Sequence, residues 1–240
     1  VGRVHHFDVN VSHCRLEIHA TSEVDTLEED PHSGVNWVGD DWDELRDRKL
    51  SAGYAEFLAP SPYVPFDSRA VEIGAAIHEP GISVAEFLVR LSRHLHKTLD
   101  YDPDVTHVHT VLHDVLEHRA GVCQDFAHVM LACCRCQGIP ARYVSGYLYT
   151  DGSLHLRGSQ ATHAWVECLV PGGKWLGLDP TNSMVVNDRY IKVHAGVDYS
   201  DVSPTRGIYF GPAASSLQVG VHVQSLPAAM GSQRIASVEQ

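Results

Sequence analysis

Residues 119–131 read RAGVCQDFAHVML, and no proline or glycine interrupts the run from Cys123 to Gln137 before Gly138 and Pro140. Such a run with Gly and Pro just beyond it predicts an apolar helix over 123–137. Cys123 stands in its first turn, where unpaired N–H groups and the positive end of the helix dipole favour an anion. The thiolate is the nucleophilic form of cysteine, so this position suits covalent chemistry. The Cys123 N–H, at the same helix start, can also donate to a developing oxyanion.

Two later stretches supply partners for a nucleophile. ATHAWVE (161–167) and WLGLDPT (175–181) place His163 and Asp179 on the strand-like runs HAWVECLV (163–170) and KWLGLD (174–179), joined by PGG. If Pro171-Gly172-Gly173 is a three-residue loop with Gly173 left-handed, Val170 faces Lys174 and Trp165 faces Asp179. His163 then lies diagonal to Asp179 on one sheet face. A two-residue Gly-Gly turn would instead pair Val166 with Asp179 and turn the carboxylate to the other face. The longer loop therefore predicts a Cys-His-Asp set, with His163 as base and acid and Asp179 holding its tautomer and steadying its charged form.

Upstream, helical spacing covers 68–79 and 83–99, the second with Val84, Phe87, Leu88, Leu91 and Leu95 on one face and Ser83 as N-cap. A third helix is expected over TVLHDVLEHR (110–119), followed by Gly121 at a tight bend or close contact. ARYVSGYLYT (141–150) alternates as a strand whose tyrosines share a face, a sheet surface first and a binding surface second. The order of helices followed by antiparallel strands predicts an α+β fold. At the amino end, VHHFDV and CRLEIHATSEV alternate as two half-buried strands, and acidic, proline-bearing sequence from Thr26 to Asp67 reads as a connector. We expect residues 1–66 to form a partial N-terminal β segment with its connector, and 67–240 the catalytic domain. The tail from Asn187 reads as loop, with one more strand at SLQVGVHVQ (216–224).

Composition narrows the partners. With 18 Lys plus Arg against 30 Asp plus Glu, the formal net charge of −12 leaves no basic footprint for nucleic acid or anionic lipid. No apolar run approaches the roughly 20 residues that span a bilayer, and VGRVHHFDVN lacks a signal-peptide layout, so a cytoplasmic setting is expected. The six cysteines, three of them within 133–136, do not have the spread of a disulfide framework, and reduced thiols are expected. Nothing in the sequence specifies an oligomeric state.

Other residues compete for a role. Cys133 and Cys136 have CxxC spacing, but they lie in the last helical turn, where the dipole disfavours a thiolate, and burial is expected. His109 and His113, or His113 and Glu117, stand four apart and could share a metal-binding face, but no third ligand joins them. His94 and His96 point to different sides of their helix. No metal and no cofactor are expected. Asp125 suits the first helical turn whatever the function, and His128 faces away from Cys123, toward packing. Trp165, beside His163 by alternation, and Gln124, beside Cys123, are the candidate substrate-binding residues; Trp165 reads equally well as a core aromatic.

Taken together, RAGVCQDFAH, GIPARYVSGYLYT, THAWVE and WLGLDPTN resemble the bacterial transglutaminase-like family, over about Val84 to Phe210. The resemblance implies a papain-like core, with Cys123 opening the central helix, His163 and Asp179 on adjacent strands, and acyl transfer through a thioester. It also implies that residues 3–27 correspond to the last strands of a longer β domain. Animal transglutaminases carry Trp directly after the nucleophile, where this chain has Gln124, and no calcium-site pattern is evident. Hydrolysis of peptide or amide bonds in a peptide or protein substrate is therefore the expected reaction. A non-catalytic protein-binding module on the same fold, a protein-glutamine amine transferase and a histidine-based metal hydrolase are the alternatives.

Overall fold

A computed structural model describes residues 4–47, 52–105, 110–152, 156–158, 161–203, 205–208, 210–211, 218–229 and 232–236. In chain order the elements are β1 (Glu23–Asp25), α1 (Trp42–Leu45), a 3-10 turn (Ala55–Phe57), α2 (Ser68–Ile77), α3 (Val84–Thr98), β2 (Asp100–Tyr101), α4 (Leu112–His118), β3 (Ala120–Gly121) and α5 (Cys123–Cys136). They continue as β4 (Ala141–Leu148), β5 (His163–Val170), β6 (Lys174–Asp179), β7 (Met184–Val185), β8 (Tyr190–Gly196), α6 (Tyr199–Val202), β9 (Gln224–Ala229) and β10 (Ser232–Ala236). The expected α+β order of helices followed by antiparallel strands is the one that forms.

The central helix α5 is buried from Gln124 to Arg135. It packs on β4 and β5 on one side and on α2, α3 and α4 on the other. Phe126, Met130 and Leu131 share one buried core with the apolar face of α3, formed by Phe87, Leu88, Leu91 and Leu95. Each such side chain, withdrawn from water, contributes on the order of 2 kcal/mol. The helix stops where the sequence predicts. Gly138 turns left-handed (φ 77°), and the N–H groups of Gly138 and Ile139 donate to the carbonyls of Arg135 and Cys134. Ser83 caps α3, accepting from the Glu86 N–H at 3.1 Å.

The main sheet runs β7-β6-β5-β4-β8, antiparallel throughout. In the β5–β6 hairpin Val170 pairs with Lys174 and Val166 with Leu178, and both Gly172 and Gly173 take positive φ. This is the three-residue loop, and the register continued by one pair sets Trp165 opposite Asp179. Ala164, Val166 and Cys168 face α5, whereas Trp165 joins Val144, Leu148 and Tyr190 in a second cluster on the opposite face.

Several expectations need correcting. No strand forms over 4–22. Leu16 (50 %) and Ile18 (44 %) remain exposed, and among the described residues of this segment only Glu23–Asp25 pairs, with β10. Alternation gives a chain two faces, but a strand also needs an edge that offers N–H and C=O partners, and β10 offers it to three residues only. The connector is also more than a loop. Trp42 and Leu45 are buried, the Trp42 indole donates to the Ile82 carbonyl at 2.9 Å, and Asp41 accepts from the Val84 N–H at the start of α3. The chain therefore remains packed on the body ahead of the expected boundary at 66/67. Beyond Asn187 the expected loop contains β8, which pairs with β4. The strand sought at 216–224 begins only at Gln224; residues 216 and 217 lie outside the described residues. Among the described residues no helix is long and apolar enough to cross a membrane.

Candidate active site

Cys123 is the first residue of α5 and is partly buried. The residue before it, Val122, is held by its N–H, which donates to Asp125 Oδ2 at 2.8 Å. Asp125 folds back this closely because residue 121 is glycine: a Cβ there would lie 2.5 Å from the same oxygen. Gly121 also pairs with Tyr101 in the short parallel β2–β3 ladder, so the approach to Cys123 is braced from the side. The expected close contact at Gly121 is thus a helix-start device: it lets Asp125 fold back onto the Val122 N–H and leaves Cys123 as the first residue of the helix.

The strand start meets the helix start. Cys123 Sγ lies 4.0 Å from the carbonyl oxygen of Thr162, the residue preceding His163. His163 is 1 % exposed, and its Nε2 is 2.8 Å from Asp179 Oδ2. With Nε2 committed, Nδ1 is the ring nitrogen left for the thiol, and it is buried with no hydrogen-bond partner among the described residues. Gly158, left-handed at φ +81°, lies over this nitrogen: a Cβ at that position would be 2.4 Å from Nδ1. A side chain at 158 would displace the ring.

Asp179 is fully buried and fully satisfied. Besides the imidazole, Oδ2 accepts from Asn182 Nδ2 (2.7 Å) and from the Tyr190 hydroxyl (2.8 Å), and Oδ1 accepts from the N–H groups of Thr181 (2.9 Å) and Asn182 (3.2 Å). Burial alone would raise its carboxyl, but the His163 charge and the hydrogen bonds from His163, Asn182 and Tyr190 bring it below the usual carboxylate range. Burial likewise pushes the imidazole down. The Asp179 charge and hydrogen bond, with Cys123 adding to both effects, outweigh it and raise His163 to about 10. Burial, reinforced by Asp179, raises the Tyr190 phenol, which stays a donor. The arrangement stores a proton on a buried imidazole next to a sulfur at a helix amino end.

The structure brings Cys123, His163 and Asp179 together. Trp165 is 1 % exposed, 6.3 Å between centroids from His163 and edge-on to Tyr190 at 5.3 Å. That position puts it behind the imidazole, where it keeps water away, and not on an open cleft wall as the substrate-binding reading required. Gln124 is buried beside Cys123, at 7 % exposure. His128 is stacked on Tyr63 and tilted against Tyr143, and burial holds it neutral by lowering its pKa to about 3. Cys133 is buried and Cys136 partly so, and both are free thiols.

His109 lies outside the described residues. His113 is 2.7 Å from Arg69 Nη2 and 3.6 Å from Glu117. Among the described residues no group of three or more His, Cys, Asp or Glu is gathered around a common point.

Sequence reading missed Asn182 and Tyr190. A signal for Asn182 was present, since Asp-Pro-Thr-Asn is a sequence in which an Asp side chain accepts from backbone N–H groups two and three residues on. No local signal marks Tyr190, whose role depends on β8 lying beside β4.

Residues 72–180 match the family model of the transglutaminase-like superfamily. An uncharacterised protein of Mycobacterium leprae is 37 % identical over 226 residues, covering 92 % of this chain and 77 % of that protein. A protein-glutamine gamma-glutamyltransferase of Pseudomonas aeruginosa is 35 % identical over 118 residues, 47 % of this chain and 17 % of the enzyme. Among solved structures, a candidate cysteine protease from Cytophaga hutchinsonii superposes with a TM-score of 0.57 at 25 % identity, over 78 % of this chain and 63 % of that one. The helix-borne Cys123, the strand-borne His163 and Asp179 and these likenesses place the chain in one family: it belongs to the transglutaminase-like superfamily.

Proposed function

We propose that this chain is a cysteine-dependent acyl-transfer enzyme that cleaves peptide or amide bonds through a thioester on Cys123. The observation that carries the reading is the imidazole of His163, bound to Asp179 through Nε2 at 2.8 Å, with Nδ1 buried and without a hydrogen-bond partner among the described residues. In the first half-reaction the Cys123 thiolate attacks the carbonyl carbon, and the Cys123 N–H at the start of α5 donates to the oxyanion. The C–N bond then breaks as His163 gives its proton to the leaving amine. In the second, water or an amine attacks the thioester while His163 takes a proton, and the sulfur leaves. Asp179 keeps the ring in one orientation throughout. A peptide or protein is the substrate class, and no step draws on a metal or a cofactor.

Amine transfer is the second reading, favoured by the likeness to the Pseudomonas enzyme. Both reactions share the thioester, so one experiment tests both. A library of glutamine-containing and simple amide peptides is incubated with and without a primary amine, and products are weighed. Free acids alone identify a hydrolase, and amine adducts a transferase. No product from any peptide, together with an unreactive Cys123, would support the binding-module alternative.

The raised imidazole sets a pH dependence. His163 must carry a proton to expel the amine, so kcat/KM is expected to fall only as pH passes about 10, well above an ordinary histidine. Stability follows the same group. A histidine raised on folding contributes fully below its unfolded value of about 6.5, and the contribution is lost as pH rises through the folded value. Urea unfolding should thus show stability declining between about pH 6.5 and 10, by on the order of 5 kcal/mol, with a flatter profile in His163→Gln. An alkaline limb near pH 7 would contradict the buried ion pair.

A further inference from the structure

We propose that Arg157 reads a carboxylate on the acyl donor, so that the site prefers substrates carrying an acidic group beside the bond that is cleaved. The inference rests on Cys123 being the nucleophile. Arg157 belongs to the segment between β4 and β5. Its N–H donates to Asn182 Oδ1 at 2.9 Å, and its carbonyl accepts from Asn182 Nδ2 at 3.2 Å. The same Nδ2 reaches Asp179, so one side chain fastens this backbone to the catalytic set. The next residue is Gly158, which lies against His163 Nδ1. On the other side, the Arg157 guanidinium carbon lies 5.6 Å from the centroid of the Tyr101 ring, and Tyr101 pairs with Gly121, two residues before Cys123. The cation is therefore carried between β2, the strand paired with the one that leads into the nucleophile, and the glycine that covers the base. The electrostatics agree: burial and the nearby Cys123 raise the Tyr101 phenol, and Arg157 works against both.

The guanidinium of Arg157 is spare. Among the described residues it makes no hydrogen bond or ion pair, whereas Arg69, Arg90 and Arg142 are held by Asp67, by Glu79 with Glu86, and by Glu167. Its residue is exposed. In a chain of net charge −12, an exposed cation that is unpaired among the described residues and lies beside Gly158 and Tyr101 is a local reversal of sign. A guanidinium offers five N–H donors in a planar fork, a geometry that matches a carboxylate.

The test uses two alkylating agents of nearly equal size, anionic iodoacetate and neutral iodoacetamide, on the wild-type chain, Arg157→Gln and Arg157→Lys. The rate at Cys123 is followed by peptide mass mapping. One unit charge near the sulfur is expected to change the iodoacetate-to-iodoacetamide ratio about three- to tenfold. The ratio should fall by that factor in Arg157→Gln and hold most of its value in Arg157→Lys, with the iodoacetamide rate nearly unchanged. Both reagents reacting with an unchanged ratio in Arg157→Gln would overturn the role of Arg157 alone. Neither reagent reacting in the wild type would overturn the nucleophile and Arg157 with it.

Matched peptide donors, Glu against Gln beside the cleaved bond and free against amidated carboxyl termini, locate the carboxylate. A kcat/KM preference for one acidic member, lost in Arg157→Gln, is the expected result, and equal rates in every wild-type pair contradict it.

Discussion

Replacing Cys123 by Ala is expected to lower kcat/KM for any amide donor by on the order of 10⁵-fold, to the level of the scaffold without a nucleophile. The size of the effect follows from the division of labour. Sulfur supplies the new bond, and neither His163 nor the α5 amides can replace it. The chain should stay folded, because Cys123 lies at the helix start, only partly buried against the core, and the fully buried apolar side chains of α5 begin at Phe126. Thermal unfolding of the variant, measured beside its kinetics, separates lost chemistry from lost structure. A variant that keeps more than about a hundredth of the activity while folded would remove the thioester from the mechanism.

The second large effect is expected at Asp179. Asp179→Asn keeps the volume but removes the charge that outweighs burial around His163. The imidazole midpoint, followed by NMR, should drop from about 10 to below the ordinary histidine value, since desolvation is then little opposed. Turnover should drop with it, by on the order of 10³- to 10⁴-fold in kcat with little change in KM, because a neutral ring cannot hold the leaving-group proton and the Asn amide favours the wrong tautomer. Tyr190→Phe removes one of the donors to the same carboxylate and leaves the charge in place. A smaller loss, about tenfold, is expected there, as for one hydrogen bond to a charged group. Equal losses in the two variants would mean that packing, and not the Asp179 charge, sets the site.

The helix and the hairpin were legible because their signals are local. Cys123–Cys136 is bounded by its own glycine and proline, and the loop Pro171-Gly172-Gly173 sets the register that carries His163 and Asp179 onto one face. The supporting shell was not legible, because it is assembled by long-range pairing. Tyr190 reaches Asp179 only because β8 lies beside β4, and its strand YIKVHAG has exposed Lys192 and Val193 that blur the alternation. Trp165 was ambiguous for the same reason: alternation gave its face, but only the packing of Tyr190 against it showed that face to be covered. At the amino end the error ran the other way. Leu16 and Ile18 alternate well, yet among the described residues no strand pairs with theirs, and the pattern alone could not reveal that.

The most direct measurement is the position of the covalent intermediate. An activated peptide ester is mixed with the folded chain at neutral pH, quenched in acid and mapped by mass spectrometry, with Cys14 as the internal control because it is the more exposed thiol. Acyl mass on the peptide containing Cys123 and none on Cys14 is the expected result, since activation by His163 and the helix start, and not exposure, would then govern reactivity. Acylation that follows exposure, on Cys14 and not on Cys123, would contradict the account.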